Sequence, residues 1–271
     1  MSNLFHLLRR TGAALALATT ALASHAAPTT QLGFLIDASG SIGSTNFNTM
    51  RSGYAAALAA LPTDGSIEVT VYTFSNSTVQ VVAPTVVTAA SLPGIVSSIN
   101  GMGYTASTTA TAAGITAISN AMLASSNYSA GLRSIINVAT DGQPNDGSSN
   151  PSGNAITAAT NARNNGIDAL TAEAIGSFNS NFLLDLVFSP LTGPCDNCGV
   201  LLPDGSTPTN PMTSTPWVLQ VNSFDDFPTA INAKVQAIVN DVPEPGALAL
   251  SGLALLLVAV QRRRASAAQQ A

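Results

Sequence analysis

The stretch Phe34-Leu35-Ile36-Asp37-Ala38-Ser39-Gly40-Ser41-Ile42-Gly43 constrains this chain more than any other. An apolar run, Leu32 to Ile36, stops at a carboxylate, and hydroxyls follow at alternate positions. A run of that length bounded by Gly and Ser reads as a buried strand. Asp37, Ser39 and Ser41 then fall in the loop leaving the strand's carboxyl end, where open α/β sheets place their ligands. One carboxylate and two hydroxyls converging there make an all-oxygen site suited to a hard cation such as Mg²⁺, which keeps some waters and leaves a position for an outside ligand. The plainer alternative is a strand end whose Asp and Ser cap the next helix.

Two later stretches decide between these. Ser134-Ile135-Ile136-Asn137-Val138-Ala139-Thr140-Asp141-Gly142 is a second apolar strand ending in an acid and a glycine. Between the two strands, Ser107-Thr108-Thr109-Ala110-Thr111-Ala112-Ala113-Gly114-Ile115 is a hydroxyl-rich loop running into a small-residue helix. In this order the three stretches resemble the von Willebrand factor A (VWA) domain and its metal-ion-dependent adhesion site. That family carries Asp-x-Ser-x-Ser, then a Thr in a Gly-Gly-Thr-x-Thr-Gly-like loop, then Thr-Asp-Gly after a strand. The resemblance covers about Leu32 to Asn240. It implies an α/β fold: a single Rossmann-like VWA domain with a mostly parallel central sheet, helices on both faces and one antiparallel edge hairpin strand. It also implies metal ligands Asp37, Ser39, Ser41, Thr109 and Asp141, with Mg²⁺ (or Mn²⁺/Ca²⁺) as the cation and a partner's carboxylate completing the octahedron. Thr109 follows from aligning Thr109-x-Thr111 with the family's Thr-x-Thr. Ser107 and Thr108 stand where the family has glycines, so Thr108 and Thr105 remain alternatives for that ligand.

Both ends read as processing segments. Residues 1–27 combine a basic n-region (Arg9, Arg10), an apolar stretch from Ala13 to Leu22 and small residues at Ser24-His25-Ala26, which predicts a secretory signal peptide cut near Ala26 or Ala27. At residues 242–271, Pro243-Glu244-Pro245 precedes an apolar segment, 247–260, followed by Arg262-Arg263-Arg264. That apolar run is short of the roughly 20 residues of a comfortable transmembrane span, and the arginines place the C-terminus in the cytoplasm. The tripartite tail resembles the PEP-CTERM sorting signal of Gram-negative bacteria. By that resemblance an exosortase-type enzyme recognises Pro243, Glu244 and Pro245 and removes the tail, after transient anchoring in the inner membrane.

Residues 28–241 are the size of one α/β domain with an insertion. After the first strand, Phe47, Met50, Tyr54, Ala57, Leu58 and Leu61 lie at helical spacing and stop at Pro62. Ile67 to Phe74 and Thr78 to Val82 read as a hairpin around Ser75-Asn76-Ser77. Helices are expected over 91–99, 111–123, 154–165, 182–188 and 224–239, and strands over 135–139, 167–175 and 217–221. Such alternation argues a mostly parallel sheet with helices on both faces. The segment 189–216, rich in Pro, Gly, Thr and Asn, fits no element and reads as an insertion loop.

The remaining chemistry is mostly exclusion. Basic residues between Pro28 and Asp241 are Arg51, Arg133, Arg163 and Lys234 alone, so nucleic acid and anionic membrane surfaces are poor partners. The histidines, His6 and His25, both fall in the signal peptide, which leaves the mature domain without a Ser-His-Asp triad, a Cys-His pair or an ordinary zinc site. Cys195 and Cys198 lack the strand-to-helix setting of a redox pair and, in an exported chain, read as a small structural disulfide. The expectation is a non-enzymatic, exported binding module of the cell envelope or extracellular matrix, taking an acidic protein or matrix ligand. The alternatives are a matrix protein whose cation merely stabilises it and, more remotely, a metal-dependent hydrolase.

Overall fold

The computed structural model describes residues 27–129, 131–193 and 198–239. Its strands are β1 (Thr30–Asp37), β2 (Asp64–Phe74), β3 (Thr78–Thr88), β4 (Arg133–Thr140), β5 (Ala169–Ile175), β6 (Val200–Leu202) and β7 (Trp217–Val221). The helices are α1 (Ser44–Ala59), α2 (Leu92–Asn100), α3 (Thr111–Leu123), α4 (Pro151–Asn164), α5 (Ser180–Leu186) and α6 (Phe227–Val239). The strands form one sheet in the order β3-β2-β1-β4-β5-β7-β6. Every neighbouring pair is parallel except β2 with β3, the hairpin at one edge. The expected α/β architecture, with its antiparallel edge strand, is therefore present.

The side-chain period of two along each strand sorts the core into two halves. Leu32, Phe34 and Ile36 of β1 face α1, α2 and α6, where Phe47, Met50, Tyr54, Ile95, Phe227 and Ile231 bury them. Leu35 faces the other way, toward Ile115, Ile118 and Met122 of α3 and the alanine stripe of α4. Gly33 shares that second face, and α3 approaches it so closely that an added Cβ would lie 2.5 Å from Met122 Sδ and 3.1 Å from Ile118 Cδ1. The centre of the sheet is thus buried on both sides, which explains why its strands read as unbroken apolar runs.

The ends of the strands differ in kind. At the amino end Glu68 is buried, and its carboxylate accepts from Gln31 Nε2 (2.5 Å), Asn127 Nδ2 (2.6 Å) and Ser125 Oγ (2.9 Å). Those three donors satisfy the charge and leave it no role toward an outside ligand. The carboxyl end carries the loops after β1 and β4. Because β1 runs on to β2 on one side and has β4 on the other, the connections diverge between β1 and β4, which makes this the topological switch point of the sheet.

One expectation of the sequence needs correction. The segment 189–216 contains β6, a three-residue edge strand parallel to β7, and its Thr209 carbonyl accepts from Trp217 Nε1 at 3.0 Å. Three residues ahead of a Pro-Asp-Gly turn are too few for a period to show. Cys198 is disulfide-bonded, while Cys195 lies outside the described residues. So do nearly all of the expected signal peptide, the Pro243-Glu244-Pro245 motif and the apolar segment 247–260. Among the described residues no helix is long and apolar enough to cross a membrane.

Gly33→Val tests the close approach of α3. Crowding Met122 is expected to cost about 1–3 kcal/mol, the usual range for overpacking a filled core, read as a lower urea midpoint at unchanged slope.

Candidate metal centre

Asp37 is the last residue of β1 and is completely buried. The chain turns immediately: Ser39 N donates to Asp37 Oδ1 at 2.8 Å, an Asx-type turn that bends the loop over its own carboxylate. From the adjacent strand, Thr140 Oγ1 donates to Asp37 Oδ2 at 2.7 Å. The loop then carries Ser39 Oγ to 3.2 Å from Ser41 Oγ, and Ser41 Oγ donates to Asp141 Oδ1 at 2.8 Å. Asp37, Ser39, Ser41 and Asp141, about a hundred residues apart in sequence at the extremes, therefore form one continuous chain of hydrogen-bond contacts across the switch point. Burial falls along it, from Asp37 and Ser39, fully enclosed, to half-buried Asp141 and exposed Ser41.

The loop before α3 is clasped to the loop after β1 through the backbone. Gly40 N donates to Ser107 O at 2.8 Å, and Thr105 N and Ala106 N both donate to Ala38 O, at 3.3 and 3.1 Å. Within this clasp Ala106 adopts φ 56°, left-handed for a residue with a Cβ. Thr109 is buried and exchanges backbone bonds with Asn145, 2.9 and 2.8 Å, in the loop that follows Asp141. Thr108 and Thr105 are exposed. The structure thus pairs buried Thr109 with the loop that follows Asp141. Its hydroxyl does not join the Asp37–Ser39–Ser41–Asp141 chain among the described residues.

Several residues that pattern reading passed over build the site. Thr140 belongs to the Thr140-Asp141-Gly142 motif, and its hydroxyl is what holds the buried Asp37; it also accepts from Gly142 N at 3.2 Å. Ser75, at the end of β2, donates its hydroxyl to Thr108 O and receives Ser107 N. Tyr104 donates to Gly40 O at 3.1 Å. Thr140 was legible from its place one residue before the acid; Ser75 and Tyr104 had no local signal, because their partners are more than 30 residues away.

The electrostatics are those of two acids with no counter-charge. Burial pushes the Asp37 carboxyl up to about 6, against the opposing hydrogen bonds from Ser39 and Thr140, and the nearby Asp141 adds to the rise. Asp141 is also raised by burial, with Ser41 working against it. Among the described residues no basic side chain bonds to either. Among the described residues there is no group of three or more His, Cys, Asp or Glu placed to hold a metal ion. The donor set is therefore two carboxylates and hydroxyls, all hard oxygen ligands, open to solvent on the Ser41 side. That set fits an oxygen-preferring divalent cation and supplies none of the soft ligands of a structural zinc site.

Comparison with known sequence families agrees with this geometry. The model of the von Willebrand factor type A domain family matches residues 31–191, more than half of the chain. The chain belongs to the VWA family. Residues 241–264 match the PEP-CTERM protein-sorting motif. Solved structures share the VWA fold: proximal thread matrix protein 1 from the mussel byssus is 18% identical, with TM-score 0.55, covering 79% of this chain and 47% of that one. A further structure of the same byssal protein has a zinc-occupied MIDAS motif (18% identical, TM-score 0.54, 78% and 46% covered). The pilus adhesin SpaC from Lactobacillus rhamnosus GG is 15% identical, with TM-score 0.58, over 81% of this chain and 31% of that one. This VWA chain spans less than half the length of those proteins, and at such identities the likeness is one of fold. No curated protein matches the chain.

The raised acid has a consequence for stability. A native Asp37 that titrates near 6, above an unfolded carboxyl, binds its proton more tightly when folded. Its contribution is fully present below about pH 4 and lost as pH rises through about 6, an effect of about 3 kcal/mol at one unit per 1.4 kcal/mol. In metal-free buffer, wild-type unfolding free energy should therefore fall between pH 4 and 7 relative to Asp37→Asn. Chemical denaturation of the two proteins across that range checks it.

Proposed function

We propose that this protein is an exported, non-enzymatic VWA module that binds an acidic protein or matrix ligand through a divalent cation. The observation that carries the reading is the hydrogen-bonded chain Asp37–Ser39–Ser41–Asp141 at the sheet's switch point, buried at Asp37 and open at Ser41. Ser39, Ser41 and Thr109 would hold the cation through hydroxyls, and Asp37 and Asp141 would supply the charge. Mg²⁺ is the first choice, with Mn²⁺ or Ca²⁺ as substitutes. A bound cation supplies an electrophile toward an incoming carboxylate. The protein's own part is to set two acids side by side, to limit neutralisation by using hydroxyls for the other positions, and to leave the Ser41 face accessible. The two acids without a base or an acid partner give a hydrolase little to work with, which supports binding over turnover.

The ends of the chain support an envelope or extracellular setting. The match at residues 241–264 agrees with recognition of Pro243, Glu244 and Pro245 by an exosortase-type enzyme after a signal peptide at residues 1–27 has directed export. Residues 28–241 would be the mature domain, anchored transiently in the inner membrane by 247–260 with its C-terminus cytoplasmic. In that oxidising setting Cys195 pairs with Cys198.

A second reading keeps the cation and drops the ligand: a matrix protein that the metal merely stiffens. The complete burial of Asp37 favours it, since a charge so enclosed gains most from neutralisation.

Calorimetry and thermal melting separate these readings. Millimolar Mg²⁺ or Mn²⁺ should bind the wild type and raise its melting temperature by an amount set by concentration over Kd; Asp37→Ala and Asp141→Ala should abolish both effects. An acidic peptide that binds only with metal present supports adhesion, and Thr109→Ala should then weaken the peptide more than the metal. Metal stabilisation without peptide binding supports the matrix reading, and no metal binding at all overturns both. For sorting, replacing Pro243, Glu244 and Pro245 with alanine in the native host should leave the full-length chain in the inner membrane, whereas wild-type surface material loses Arg262-Arg263-Arg264; mass spectrometry of both fractions reads the difference.

A further inference from the structure

A second concentration of polar chemistry lies in the core between the sheet and α6. Lys234 of α6 and Glu173 of β5 are both completely buried, with Nζ 3.0 Å from Oε1. The other carboxylate oxygen, Oε2, accepts a short hydrogen bond from Nδ2 of Asn137 on the adjacent β4. Asn137 Oδ1 in turn accepts from Tyr54 Oη of α1 at 3.2 Å. Aromatic rings enclose the group: Nζ lies 5.2 Å from the centre of the Trp217 ring, and Tyr54 packs against Phe34 and Phe227. This is the Lys234 that composition had marked only as one of four bases in the domain.

As an ordinary ion pair the arrangement is poor. An ammonium has three donors, and Lys234 Nζ has one close oxygen and no aligned hydrogen bond among the described residues. Burial lowers its pKa to about 8, with Glu173 pulling the other way. A buried ammonium so thinly provided is costly, and the amine left once it gives up a proton is a nucleophile. Beside it stand a carboxylate that can take and return a proton and a carboxamide whose two heteroatoms are both engaged. The oxygen is held by a hydroxyl donor and the nitrogen by that same carboxylate.

We propose that Lys234 and Asn137 are joined in the mature protein by an intramolecular amide bond, formed autocatalytically with Glu173 as the proton carrier. Lys234 first passes a proton to Glu173. Its free amine then attacks Cγ of Asn137, forming the Nζ–Cγ bond while the carbonyl electrons move onto Oδ1, where the Tyr54 hydroxyl stabilises the developing charge. Glu173, already on Nδ2, protonates it and recovers a proton from Nζ; the Cγ–Nδ2 bond breaks and ammonia leaves. Amine and carboxamide give secondary amide and ammonia, with no oxidant, metal or external reactant. The product removes the under-provided ammonium from the core. It also ties α6, the element immediately before the sorting motif, to the central strand that carries Thr140, closing much of the domain's C-terminal half into one covalent loop. The proposal is independent of the metal reading.

Peptide mapping of the full chain purified from an exporting host tests it. The expected product is a branched peptide joining Lys234 to Asn137, lighter than its two arms by about 17 Da, the mass of the ammonia released by amine attack on a carboxamide, with no tryptic cut after Lys234. Glu173→Gln and Lys234→Met should each give only linear peptides. The wild-type map decides even if those variants fold poorly. Linear peptides with free Lys234 and intact or deamidated Asn137, after prolonged incubation of the folded protein at mildly alkaline pH, would overturn the bond. An amide to Glu173 in place of Asn137 would overturn the assignment, and bond formation at an undiminished rate in Glu173→Gln would overturn the proton carrier.

Discussion

Everything at the carboxyl end of the sheet is arranged around one enclosed negative charge. The Asp37 carboxylate has no solvent contact, yet both of its oxygens accept hydrogen bonds, from Ser39 N and from Thr140 Oγ1. Those two donors come from opposite sides of the switch point. The charge can therefore be housed only when β1 and β4 are neighbours and the loop after β1 has already turned. The fold completes the site, and the site reports that the fold is complete. The remaining discomfort, two acids within one chain of contacts and no base, is what a divalent cation relieves and what a carboxylate ligand would then exploit.

The core answers the same problem differently. Two charged side chains, Lys234 and Glu173, sit in the half of the interior that α1 and α6 cover, and two neutral groups, Asn137 and Tyr54, share their hydrogen bonds. Each of the four residues comes from a different element, so the cluster fixes how α1 and α6 lie on β4 and β5. Gly53 of α1 comes close to Pro228 of α6, where even a Cβ would stand 3.0 Å from backbone, so the two helices are in near-backbone contact above the cluster. Hydrophobic burial alone tolerates sliding; a polar cluster with one satisfactory arrangement does not.

Much of this was legible from the chain. Apolar runs ending in Asp37 and in Thr140-Asp141 marked the two central strands and the end at which their loops meet, because residues buried on both faces leave an uninterrupted apolar signature. The helices after β1 and before β4 followed from spacing and from Pro62. What escaped notice was non-local or short. Thr140's hold on Asp37, Ser75's bond to the Thr108 carbonyl and the Lys234–Glu173–Asn137 cluster each join residues that no window of sequence contains together. β6 has too few residues to show a period, and it is ordered by pairing with β7 more than by any preference of Val200-Leu201-Leu202. Thr109 stands between these cases: the motif named it and the fold buries it beside Asn145, although its neighbours lack the glycines that usually announce such a loop.

The outer edge of the sheet has a bearing on how such molecules live together. β3 is long, uncharged and exposed at Val79, the kind of border along which sheets of separate molecules fuse. It is spoiled for that purpose by Pro84, which offers no N–H, and by a pairing with β2 that shifts register at three places. Two such borders cannot run a continuous ladder between them. Such domains can then be crowded at high density and remain a population of separate molecules, since this barrier to coalescence is written into backbone geometry and is indifferent to salt.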